Sequence, residues 1–197
     1  MAKSASKWIH EPFARFFEEP TRETLRRLLA ESGGEFKQFD FKETWPDKAS
    51  LARHILAMAN SGGGCLIAGV RENDDGSLEP VGLSTLPDKA KVIGGVKKYL
   101  PEALPSFCHF VDFSYADSEN AKLAGKKFQV GFIEAPPELL PFVAAAQGEG
   151  IRINAIYVRK GASSDEASHD ELQRLFEKKI EATSGTQRAR DLKEHLA

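Results

Sequence analysis

A two-layer α+β domain, helices packed on a mixed sheet, is the fold class this sequence predicts, and three observations predict it. Phe39 and Phe41 alternate with Gln38, Asp40 and Lys42, the period of two that marks a strand with one buried face. Leu51, Ile55, Met58 and Ala59 recur at helical spacing, and the apolar run Cys65 to Val70 follows them across three consecutive glycines. His109 to Tyr115 and Lys127 to Glu134 both alternate and flank a polar turn, as an antiparallel pair does.

The remaining elements fall in order. Trp8, Ile9, Phe13, Phe16 and Phe17 recur near one helical turn and predict a short amphipathic helix. Pro20 breaks it, and Thr21 to Ala30 forms a second helix with Leu25, Leu28 and Leu29 on one side, ending at Gly33-Gly34. On the strand that follows, Asp40 and Lys42 are expected on the outer face. Asp47 then caps a helix from Lys48 to about Asn60, with Arg53 and His54 on its polar side. The Asp-Gly pair in Arg71 to Ser77 predicts a hairpin into a strand around Leu78 to Leu83. Leu86 to Leu100 reads as a helix stopped by Pro101, and Ile151 to Arg159 as a strand. Ser168 and Glu171 form a capping box for the last helix, whose stripe is Leu172, Leu175, Phe176 and Ile180. The predicted organisation is a helical extension over 1–34, a domain over 35–182 and a polar tail over 183–197.

Composition narrows the function. With 27 Lys and Arg against 29 Asp and Glu, the net charge is −2, so nucleic acid could be held only by a local basic patch. No window approaches the ~20 apolar residues of a membrane span, and the N-terminus lacks a signal-like apolar stretch, so a cytoplasmic location is expected. Two cysteines, both in apolar surroundings, suit buried thiols rather than a disulfide framework.

Common catalytic signatures fail in turn. Gly125-Lys126-Lys127 lacks the upstream Gly and the following Ser or Thr of a P-loop. Ile67 occupies the third glycine position of a dinucleotide fingerprint, and the order there is helix to strand. Zinc ligand spacing and a nucleophile elbow are absent. His54 and His109, as lone histidines, are read as structural. What remains is a carboxylate set, Glu35, Asp40 and Glu72, which could gather at one sheet edge. Hard carboxylate oxygens of that kind hold Mg²⁺ or Mn²⁺, and such ions activate water against a phosphodiester. Glu35 lies five residues before Asp40, so the two converge only if the chain bends between them. The alternative is that all three are solvated or paired with Lys37, Lys42 or Arg71.

Five segments in sequence carry a resemblance: Asp40-Phe41-Lys42; Ala57 to Gly63 followed by Leu66 to Val70; the acidic turn Glu72 to Asp75; Val81-Gly82; and Tyr157 to Ala162. Together, over about Glu35 to Phe176, they resemble the Schlafen AlbA-like domain family, also known as a DNA-binding or divergent AAA domain. The resemblance implies a compact α/β fold and nucleic-acid binding, DNA or RNA, with some Schlafens acting as metal-dependent endoribonucleases on structured RNA. Their acidic triad maps onto Glu35, Asp40 and Glu72, with Asp40 standing where the pattern has the longer Glu and with Asp74 and Asp75 close to the third position. A domain that Schlafens carry as two lobes also implies self-association or a partner protein.

The expected interface combines Lys37, Lys42, Asn60, Gly62, Gly63, Gly64, Arg71, Arg159 and Lys160 on phosphate oxygens. Two other readings stay open. One is an Mg- or Mn-dependent ribonuclease using Glu35, Asp40 and Glu72. The other is a protein-interaction subunit contacting partners through the Trp8/Phe13/Phe17 helix.

Overall fold

Gly64–Ala68 contains no polar side chain, and it becomes the central strand of the sheet, buried along its whole length. The computed structural model describes residues 11–31, 38–117 and 121–195. In chain order these form α1 (Glu11–Glu18), α2 (Arg22–Glu31), β1 (Phe39–Lys42), α3 (Lys48–Asn60), β2 (Gly64–Ala68), β3 (Val70–Glu72), β4 (Leu78–Pro80), α4 (Lys89–Val96), β5 (Cys108–Ser114), β6 (Lys127–Ile133), β7 (Tyr157–Lys160), β8 (Ser163–Glu166) and α5 (His169–His195). The main sheet runs β1-β2-β6-β5, with β1 parallel to β2 and the other pairs antiparallel. Two hairpins, β3-β4 and β7-β8, stand outside it. The α+β class is the observed one. Among the described residues no helix is long and apolar enough to cross a membrane.

Alternation along β2 divides the core into two. Cys65 and Ile67 face one side, with Phe39, Phe41, Phe128, Val130 and Phe132, and α1 and α2 cover them through Phe13, Phe16, Leu25 and Leu28. Phe13 meets Phe39 edge-on with ring centroids 4.3 Å apart, and Phe16 lies 5.6 Å from Phe132. The helices expected as an extension therefore cover one face of the sheet. Leu66 faces the other side, where α3 packs with Ile133, Phe142, Tyr157, Val158 and Leu175. Both cysteine thiols are free; burial pushes the Cys108 thiol up to about 12 and also raises that of Cys65 well above its ordinary value.

Local chemistry explains where expected boundaries shift. Val81 and Gly82 both donate to the Gly69 carbonyl, which ends β4 at Pro80 instead of Leu83. The Asp88 carboxylate caps α4 by accepting from Lys91 N at 2.9 Å, so the helix starts at Lys89 and runs into a 3₁₀ turn over Lys97–Tyr99. Asn154 adopts φ 63°, a left-handed turn that keeps residues 151–156 out of the strand expected there. β8 escapes the hydrophobic pattern because Ser164 is its single buried residue. Asp47 caps α3 by accepting from Ala49 N and Ser50 N, and Glu171 accepts from Ser168 N at 2.7 Å, both as the sequence predicts.

Candidate functional site

Covering the sheet on both faces has a direct consequence for β1. With α1 on one side and α3 and β7 on the other, no outer face is left, and Asp40 is 5% exposed rather than solvated. A carboxylate there must be paired. Lys42 Nζ lies 2.5 Å from Oδ1, while His54 Nδ1 from α3 and Arg159 Nη1 from β7 lie 3.0 and 3.1 Å from Oδ2. Arg159 also donates to the Phe39 carbonyl and to Ser164 Oγ, and its own backbone N–H donates to Ser61 Oγ at 2.8 Å. Its Nε is buried without a partner. Burial raises the Asp40 pKa, but the His54 hydrogen bond and the Lys42 charge outweigh it, bringing the carboxyl down to about 2.

This arrangement is poorly suited to either chemistry a carboxylate could support. A divalent cation needs several oxygens facing it, whereas Asp40 faces three nitrogen donors. Glu72 is exposed on β3, in a hairpin separate from the sheet that carries Asp40. Glu35 and Lys37 lie outside the described residues, as do Trp8 and Ile9. Among the described residues no three His, Cys, Asp or Glu side chains stand together as a metal site. Nor do Asp40, His54 and Ser164 form a nucleophilic relay. Ser164 Oγ and Asp40 Oδ2 both lie 3.0 Å from the same ring nitrogen of His54, whereas a Ser-His-Asp triad uses the two nitrogens separately.

The glycine turn lies directly beside the closing strand, through the Ser61–Arg159 contact, yet most of it faces inward. Gly63 and Gly64 are buried and Gly62 alone is exposed. A Cβ on Gly63, at φ 90°, would sit 2.7 Å from the Ile133 carbonyl oxygen, so this glycine is required by close approach of two backbones. Asn60 is 1% exposed and fully committed: its Nδ2 donates to the Phe142 and Tyr157 carbonyls, and its Oδ1 accepts from Phe142 N at 2.8 Å. Asn60, Gly63, Gly64 and Arg159 thus fasten α3 to β6, the 142 segment and β7 and present no surface to a phosphate.

The exposed cations of the expected interface are also engaged. Arg71 pairs with Glu43 and Glu79, and Lys160 with Glu171 and the Glu166 carbonyl. Phe13 is buried, and Phe17 packs edge-on against Phe39 and Phe132, so the expected partner-contact helix is occupied within the fold.

One family pattern spans the residues of this internal framework. The family model for Schlafen, AlbA_2 matches residues 35–168. The chain belongs to the Schlafen, AlbA_2 family. The matched range runs from just before β1 to the capping serine of α5, and so includes Asp40, Asn60, the glycine turn and Arg159. No curated protein matches the sequence. Among solved structures, the DIP2311 protein from Corynebacterium diphtheriae is similar in fold, at 17% identity and a TM-score of 0.51. The alignment covers 81% of this chain and 28% of that one, so the chain spans under a third of that neighbour's length.

Two residues of this Schlafen, AlbA_2 domain's central cluster, His54 and Ser164, are not among those the sequence marks as functional. The sequence reading puts His54 on the polar side of α3, but it falls at i+3 from Leu51 and i−4 from Met58, on the buried stripe, and that spacing is the signal for it. Ser164 had none, because β8 shows no apolar alternation.

Proposed function

We propose that this domain binds nucleic acid through the phosphate backbone and does not cleave it. Membership of a family associated with nucleic-acid binding supports the first half. The observation that carries the second is the capture of Asp40 by Lys42, His54 and Arg159, which uses both carboxylate oxygens inside the fold. A metal placed there would have to displace the Arg159 guanidinium, whose side chain is wholly buried, and leave it unpaired.

The test is to incubate the chain with end-labelled tRNA and DNA, with and without Mn²⁺, and to follow retention on a filter and strand length together. Expected is retention without shortening. Cleavage by wild type that a folded Asp40→Asn variant has lost would overturn the non-cleaving reading, and no retention of any strand would overturn binding.

A further inference from the structure

We propose that the nucleic-acid contact surface is a lysine ridge on α4 and the start of α3, made by Lys48, Lys91 and Lys98 with Lys97 on its flank. The ridge rests on the nucleic-acid reading above and gives it a site away from the glycine turn. Lys91 and Lys98 stand about two turns apart on the same side of the helix and its 3₁₀ continuation. Val96, fully buried, points the opposite way, so this side faces outward with Gly94 and Gly95 between the two lysines. Lys48 arrives from α3: a Cβ on Gly95 would lie 3.2 Å from Lys48 Cε and 3.3 Å from Cδ, which places the lysine stem across that glycine. Lys48 thus joins Lys91 and Lys98 along the side of the helix that carries the two glycines.

Their charges are unspent. Lys48, Lys91, Lys97 and Lys98 are exposed, and among the described residues none has a carboxylate partner. Lys98 Nζ sits 4.6 Å from the Tyr99 ring centroid, a neutral partner that orients the ammonium without cancelling it. Nearby acids have other tasks. Asp47 and Asp88 cap the two helices, and Asp112 takes Lys89 at 3.1 Å. Glu102 lies across a groove from Lys97. The helix is held firmly, because Gln129 Nε2, from β6, donates to both the Pro87 carbonyl and Asp112 Oδ1. Lys91 to Lys98 covers ~10 Å at 1.5 Å per residue, roughly three nucleotides of one strand at ~3.4 Å each. An anchored row of unneutralised lysines at that spacing fits a sugar-phosphate backbone and reads no bases.

The test compares two variants of equal net charge. Lys48→Gln/Lys91→Gln/Lys98→Gln removes the ridge. Arg15→Gln/Arg27→Gln/Arg152→Gln removes three exposed cations that are ion-paired with Glu11, Glu23 and Glu166. At ~0.1 M salt the ridge variant is expected to lose on the order of 100-fold in affinity for RNA or DNA, and its slope of log affinity against log salt to fall by about 2 to 3. The control is expected to stay within about threefold of wild type. Should the ridge variant melt early, Lys91→Gln and Lys98→Gln singly are each expected to lower the slope by about 0.7 to 0.9, and the triple Lys→Arg variant to keep it. Wild type that binds while ridge and control variants weaken alike overturns the ridge and leaves nucleic-acid binding standing. Wild type that binds no nucleic acid, or only vesicles of anionic lipid, overturns both.

Discussion

The charges around Asp40 and those on α4 are opposite solutions to the placement of a cation. Beneath α3, the buried Arg159 and the partly exposed Lys42 are matched to the Asp40 carboxylate, which His54 also contacts; Lys48, Lys91 and Lys98, by contrast, stand exposed around two glycines and, among the described residues, have no carboxylate partner. A buried charge is tolerated only with its partner, and losing one partner costs more than the pair contributes. An exposed lysine costs nothing to leave unpaired and keeps its charge for a ligand. The first set therefore holds the fold together and the second is available to act outside it.

The sharpest way to break that contrast is to remove Asp40. Asp40→Ala leaves the buried Arg159 guanidinium without its carboxylate and is expected to cost about 3–5 kcal/mol, read as a lower midpoint in thermal or urea unfolding. A loss below ~1 kcal/mol would mean that the network is not structural. Asn60→Ala comes next. It strands two buried carbonyls and one N–H, for about 3 kcal/mol by the same measurement.

The pH dependence is smaller and has a definite sign. Because the folded Asp40 carboxyl is held at about 2, below the ordinary 3.8, its contribution is fully present above pH ~4 and is lost as pH falls through about 2. That difference is worth about 2 kcal/mol. The stability gap between wild type and Asp40→Asn should close across this window; a gap constant from pH 5 to pH 2 would contradict the ion-paired assignment. The smallest effect belongs to the turn. Gly62→Ala meets no neighbour and costs only its positive φ, about 1 kcal/mol. Gly63→Ala should cost clearly more, since its methyl meets the Ile133 carbonyl oxygen.

Much of this was legible in the sequence. Period two in Phe39–Lys42, the Asp47 cap and the Ser168–Glu171 box each act within a few residues, and each is found as expected. The burial of Asp40 was not, because it depends on α3 and β7 closing over a strand whose own alternation announces only one buried face. Nor was the fate of Arg159 and Asn60. Their residue types suit phosphate contact equally well, and only the tertiary placement of Asp40, Phe142 and Tyr157 turns them inward. The lysines of α4 are inconspicuous in the sequence for the converse reason. Their spacing there marks an ordinary solvated face, and what distinguishes Lys48, Lys91 and Lys98, the lack of a carboxylate partner among the described residues, is a property of the surface.

The most direct test of an exposed, unpaired lysine surface on phosphate is the salt dependence of binding by the unmodified chain, with labelled single- and double-stranded RNA and DNA between ~50 and ~200 mM salt. Three phosphate contacts give an expected loss of about 20- to 40-fold in affinity over that range. Affinity that stays level across it would contradict backbone contact altogether.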